Sequence, residues 1–160
     1  MPRTYASLTL EDAKQMLSAA EAKAASLGIH YCIAVVDAGG HLVAFLRQDR
    51  ALIGSVELAI GKATTARIFD KTTADLATLA QPGKPLFGIQ ESNAGKVVIF
   101  GGGVPVVLDG TIGAGAGTVE HKTLRLQRRL SLHLGTRHSR PLRLVRVARL
   151  PTNRRMRLES

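Results

Sequence analysis

The residues whose types and spacing could do chemistry are His30, His41, Arg47, Lys62 and the run Gly101-Gly102-Gly103. Imidazole is a common metal ligand, which makes His41 and His30 candidate metal ligands. The plain alternatives are an exposed His30 ahead of a strand, and a His41 behind a turn that faces solvent or pairs with Asp37. Tyr31 and Cys32 are further donors in principle, although neighbouring strand residues point to opposite faces. Arg47 and Lys62 are candidate anchors for a carboxylate, with Arg offering a bidentate fork. The plain reading for either is a surface salt bridge with Asp49 or Glu57. Asp37 can brace its own turn by accepting from the backbone two residues on. There is no Ser-His-Asp arrangement with supporting context, no Cys/His metal spacing and no dinucleotide fingerprint between a strand and a helix. Gly113, Gly115 and Gly117 alternate but lack the third spacing that fingerprint needs. A catalytic site would have to be built from Asp37, His41, Arg47 and Lys62, and the balance is against an enzyme.

The elements that must position these residues are organised around Gly95 to Gly117. Val97 to Phe100 is β-branched and aromatic, the mark of a buried strand. A second apolar run starts at Val104 and ends in Asp109-Gly110, a tight-turn dipeptide. Gly101 to Gly103 then reads as a bend between two strands, and as a surface that lets a flat ligand approach the main chain. A phosphate cradle needs a following Lys-Ser or Lys-Thr and a helix, whereas Val104-Pro105 follows here. Upstream, Leu8 to Leu27 is an amphipathic helix capped by Thr9, with Glu11 and Asp12 at its positive end and Gly28 as its stop. Cys32 to Val36 is a strand, Asp37 to Gly40 a turn, and His41 to Arg47 the returning strand of a hairpin. A second helix is expected over Ile53 to Phe69, capped by Ser55, with Val56, Ile60 and Ala63 on its stripe. Thr72-Thr73-Ala74-Asp75 opens a short helix to Ala80, and Gln81 to Pro85 is a loop. Hairpins with helices gathered on them give an α+β class with an antiparallel sheet.

At 160 residues the chain is long enough for one domain with a core. No run approaches eighteen apolar residues, so no membrane span is expected. The start, Met1-Pro2-Arg3-Thr4-Tyr5, lacks a secretory apolar stretch. Cys32 is the only cysteine and sits in an apolar run, the pattern of an inert buried thiol. A cytoplasmic location fits all three. The charge is uneven: residues 1–120 hold 10 Lys+Arg against 11 Asp+Glu, and residues 121–160 hold 12 against 1. The basic character therefore belongs to the last quarter alone.

Residues 8–120 resemble the GlcG/HbpS family of small α+β domains, also found at the end of PduO-type corrinoid adenosyltransferases. The resemblance rests on the alanine-rich first helix, Ala34-Val35-Val36-Asp37-Ala38-Gly39-Gly40-His41-Leu42-Val43-Ala44-Phe45, Arg47-Gln48-Asp49, Ala59-Ile60-Gly61-Lys62-Ala63, Pro85-Leu86-Phe87-Gly88-Ile89-Gln90 and Phe100-Gly101-Gly102-Gly103-Val104-Pro105. It implies a profilin-like fold, an antiparallel sheet covered by helices. It also implies a domain that binds haem or a small anionic ligand and forms homo-oligomers, within a family that serves glycolate and diol utilisation. On that basis His30 and His41 become candidate axial ligands of haem iron. Arg47, Lys62 and Gly101 to Gly103 become candidate contacts to the rest of the cofactor.

Two departures stand out. Ile112-Gly113-Ala114-Gly115-Ala116-Gly117 follows Asp109-Gly110-Thr111 at once, and Gly115 stands where the family usually has Ser. After Thr118-Val119-Glu120 the family continues into an alanine-rich closing helix, whereas this chain turns into an Arg/Leu segment with eleven arginines and nine leucines. Two regions are therefore expected: a domain over 1–120 and a basic, irregular tail over 121–160, whose charges repel and resist burial. A shifted reading frame explains the abrupt change, and an alanine-rich helix encoded in another frame past Glu120 would establish it. Its loss would expose apolar sheet or interface and lower solubility. Three functions compete: a haem-binding or small-ligand domain, an enzyme or accessory protein of 2-hydroxy-acid or diol utilisation, and a nucleic-acid or anionic-surface binder acting through the tail. The tail carries no aromatic residue to stack on bases, so only non-specific attraction is expected of it.

Overall fold

The computed structural model describes residues 6–108 and 110–119, and the basic segment from His121 lies outside them. The first helix, α1 (Leu10–Leu27), opens on a reciprocal capping box in which Thr9 and Asp12 satisfy each other's backbone N–H groups. It ends on Gly28, whose φ of 64° is a conformation a Cβ would strain. Strands β1 (Cys32–Val36) and β2 (Leu42–Arg47) form the expected hairpin, with a bulge at Val35/Val36. Helix α2 (Ser55–Ile68) begins later than the sequence predicts. Its N-cap is Gly54 with no side-chain bond, and Ser55 is buried inside the first turn instead of capping it. A short α3 (Thr73–Leu79) follows, capped by Thr72 onto the Asp75 amide. A 3-10 turn (Ile89–Glu91) leads to α4 (Ser92–Gly95), a single turn whose Asn93 and Ala94 have φ of 54° and 57°. Strands β3 (Gly103–Leu108) and β4 (Thr111–Val119) complete the sheet.

The sheet runs β2-β1-β4-β3, with every neighbouring pair antiparallel. This is the α+β arrangement expected, a four-stranded sheet with helices on both faces. On one face α1 packs Ala13, Met16, Leu17, Ala20 and Ala24 against Ile33, Val35, Val106, Ala114 and Ala116. On the other, α2 sets Ala59 and Ala63 against Cys32, Ala34 and Val36. Strand β4 explains how α2 comes so close. Its alternation Ala114-Gly115-Ala116-Gly117 puts alanines toward α1 and glycines on the opposite face. A Cβ at Gly115 would run into the Ala63 carbonyl, and one at Gly117 into the Ala59 carbonyl and the Ala63 amide. The helix backbone therefore rests directly on the strand backbone.

One expected strand is absent. Val97 to Phe100 is not in the sheet but crosses α2. The Val98 amide donates to Thr65 Oγ1 at 3.0 Å, and a Cβ at Gly61 would lie 2.9 Å from Val98 Cγ2. Apolar and β-branched character suited the segment to burial, and burial against a helix satisfied it as well as a ladder would. Gly101 to Gly103 accordingly does not join two strands. It turns the chain off α2 and into β3.

Candidate functional site

Lys62 is the centre of the most unusual chemistry. It lies mid-way along α2, on the stripe of Ala59, Ala63 and Ala66, and is 1% exposed. Its Nζ donates to the Thr118 carbonyl of β4 at 3.3 Å and sits 4.3 Å from the centroid of the Phe100 ring. Gly102, at φ 126°, makes room for it: a Cβ there would meet the Thr118 carbonyl and come within 2.9 Å of Nζ. Gly103 is equally constrained, because a Cβ would strike the Lys62 carbonyl and, at 2.6 Å, Thr73 Cγ2. Thr73 Oγ1 accepts from the Gly103 amide at 2.9 Å and the Gly102 carbonyl accepts from the Thr118 amide at 3.0 Å, which fixes the glycine run in place. Removal from water pulls the Lys62 ammonium from its ordinary 10.5 down to about 8. The expected surface salt bridge is not formed. Among the described residues the ion pair is Arg67–Asp70, on the last turn of α2.

His41 stands at the tip of the hairpin. Asp37 Oδ1 accepts from the amides of Gly39 at 2.8 Å and His41 at 2.9 Å, so Asp37 braces its own turn and does not hold the imidazole. The exposed His41 ring folds over Gly39, where an added Cβ would lie 2.8 Å from Cδ2. The tip is tied to α2, since Thr64 Oγ1 donates to the Gly40 carbonyl at 3.2 Å. His30 is exposed at the opposite end of β1, roughly 20 Å away at strand rise, so the two histidines of one chain cannot share a metal. Arg47 is exposed at the far end of β2, opposite Cys32. Burial pushes the Cys32 thiol upward against the opposing pull of Arg47, as suits an inert core thiol.

The structure thus gathers Lys62 with Gly102 and Gly103 and leaves His30, His41 and Arg47 on separate parts of the hairpin. Phe100, Thr73, Thr65 and the Thr118 carbonyl complete the Lys62 site, and sequence reasoning did not single them out. Thr65 and Thr73 act across separations of 33 and 30 residues, which no local pattern reveals. Phe100 was visible as an aromatic residue beside the glycine run, and a lysine within an alanine stripe was the signal for burial. Among the described residues no three His, Cys, Asp or Glu side chains cluster as a metal site, and no helix is long and apolar enough to cross a membrane.

Comparison with known proteins adds relatives to this geometry. An uncharacterised 15.0 kDa protein of the dhaT-dhaS intergenic region of Citrobacter freundii is 39% identical over 123 residues, covering 74% of this chain and 87% of that one. The corrinoid adenosyltransferase PduO of Citrobacter freundii is 37% identical over 118 residues, and the match spans 71% of this chain but only 35% of that enzyme. Among solved structures, the Klebsiella pneumoniae protein ORFY superposes with a TM-score of 0.73 at 29% identity, covering 79% of this chain and 86% of that one. A PduOC:haem complex superposes with a TM-score of 0.69 at 35% identity, covering 72% and 84%. Residues 8–121 match the family described as haem degrading protein HbpS-like, and the chain belongs to that family.

Proposed function

We propose that the chain binds haem on the open flank of edge strand β2, with His41 as the iron donor. The observation that carries this reading is what α2 leaves uncovered. It lies over β4, β1 and β3 and scarcely reaches β2. On the α2 side of β2, Phe45 opposite Ala34 stays half-buried, and Leu42 opposite Val36 is exposed. Ile68, also exposed, reaches the hairpin tip, where a Cβ on Gly40 would lie 3.3 Å from its Cγ2. A flat apolar ring needs such a wall, and an exposed imidazole beside it has the donor chemistry iron takes. The donor set therefore fits the group. When bound, haem supplies an iron centre for redox and ligand chemistry. The chain's own part is the His41 imidazole, the apolar flank and Arg47 as a guanidinium for a carboxylate. Membership of the HbpS-like family and likeness to a haem-bound relative support the reading.

A haemin titration of the full chain tests it. His41→Ala should abolish the Soret band shift while His30→Ala leaves it intact. Loss only in His30→Ala, or unchanged binding in both, would refute the flank. The same proposal includes a homo-oligomer, because Leu52, Ile53 and Phe87 are large apolar side chains left in water by one chain. Light scattering that gives a monomer would remove that part. The setting is taken as cytoplasmic. The second reading, an enzyme or accessory protein of 2-hydroxy-acid or diol use, is favoured by Lys62, a nucleophile without a counter-charge. Non-specific nucleic-acid binding through the tail ranks last, and would show as affinity that falls steeply with salt and vanishes without residues 121–160.

A further inference from the structure

Among the described residues Lys62 is the buried side chain that bears a formal charge, and nothing of opposite sign stands beside it. Burying a cation in this way is costly unless it is paired, so a lysine kept there needs a reason. The two groups that face Nζ are both electron-rich: the Thr118 carbonyl and the Phe100 ring face. An anion would be repelled by both. A neutral amine that becomes a cationic nitrogen on reacting would be held by both, through a hydrogen bond and through the ring quadrupole. Phe100, whose ring lies over the amine, is itself 48% exposed. On the Gly102 side the amine meets backbone alone, since even a Cβ at that glycine would come within 2.9 Å of Nζ.

We propose that Lys62 Nζ is a nucleophile that condenses with a small aldehyde or ketone admitted past the Phe100 ring, forming a Schiff base. The amine lone pair attacks the carbonyl carbon and a C–N bond forms. The carbonyl π pair moves to oxygen, which takes up a proton, while the nitrogen loses one. The carbinolamine then loses its hydroxyl with a proton as water as C=N forms, so amine and carbonyl give imine and water with no change of oxidation state. Thr118, by accepting one N–H, aims the lone pair away from β4. With the ammonium near 8, roughly a tenth of Lys62 is free base near pH 7, about 300-fold more than for a lysine at 10.5. This inference deepens the small-molecule reading and is independent of haem, whose proposed donor lies at the hairpin tip.

The test is reductive trapping of the full chain with propanal and cyanoborohydride near pH 7, read by peptide mass spectrometry. Lys62 should gain its propyl adduct at least about tenfold faster than the exposed Lys14, Lys71, Lys84 and Lys96, allowing for burial against that free-base excess. Lys62→Arg should abolish the fast phase with the circular dichroism spectrum unchanged. Phe100→Ala removes the ring over the amine and should speed labelling further. Uniform labelling of all lysines, or a Lys62 that stays the slowest in both wild type and Phe100→Ala, would overturn the proposal whatever the haemin titration gives.

Discussion

Replacing Lys62 by Met should stabilise the protein at neutral pH and remove one specific component of its pH dependence. The folded chain holds the ammonium near 8 against 10.5 in the unfolded chain, so the folded state sheds this proton first. Stability is therefore reduced by a constant amount below pH 8 and recovers as pH rises through the window from 8 to 10.5. The full reduction, from a pKa of 10.5 to about 8, corresponds to about 3.5 kcal/mol. Between pH 7.5 and 9.5 the linkage relation returns roughly 2 kcal/mol of it. Lys62→Met keeps the length of the side chain and loses the charge, but it deprives the Thr118 carbonyl of its donor, which costs about 1 kcal/mol. The variant should thus be roughly 2 kcal/mol more stable than wild type at pH 7.5 and nearly equal at pH 9.5. Urea unfolding of both proteins at both pH values, followed by circular dichroism, measures the double difference, and other titrating groups cancel in it. A gap that stays flat between the two pH values, or a variant less stable at both, would refute the account of Lys62 as an uncompensated buried cation.

Other outcomes follow from the packing. Gly117→Ala should cost about 3 kcal/mol, because its Cβ has no room between the Ala59 carbonyl and the Ala63 amide, and thermal unfolding would show a lowered midpoint. Thr73→Val should cost about 1–3 kcal/mol by stranding the buried Gly103 amide, while Thr73→Ser restores most of it in the same assay. Ala94→Gly should raise stability by about 1 kcal/mol by relieving a left-handed alanine at φ 57°; no gain in chemical denaturation would contradict that.

Much of this was legible in the residues. Thr9, Asp12 and Gly28 announced both ends of α1, and Asp37-Ala38-Gly39-Gly40 announced the hairpin, because caps and tight turns are decided by residues close in sequence. Val97 to Phe100 misled, since β-branched runs report burial and not which partner provides it. The Gly-Ala alternation of β4 was noticed only as a failed nucleotide fingerprint. It can be understood from the strand period alone: one face without side chains is a seat for a helix. The candidate site was half visible. Lys62 and the glycine run stood out by type, yet their meeting depends on α2 lying across β4 and on threonines far away in sequence bonding the crossing segment. His30 and His41 were separate candidates by type, and the length of β1 sets them at opposite ends of the hairpin.

The bare face of β4 also sets how this protein can be altered. Wherever Gly115 and Gly117 touch α2, variation has only one direction open: nothing can be subtracted from glycine, and anything added lifts the helix. An engineer seeking a new specificity would therefore leave that strand untouched and recruit diversity from the exposed edge of β2 or from Phe100, where additions meet water and not a helix backbone. Because the seat cannot shift, Lys62 stays registered to Thr118 whatever is grafted around the rim.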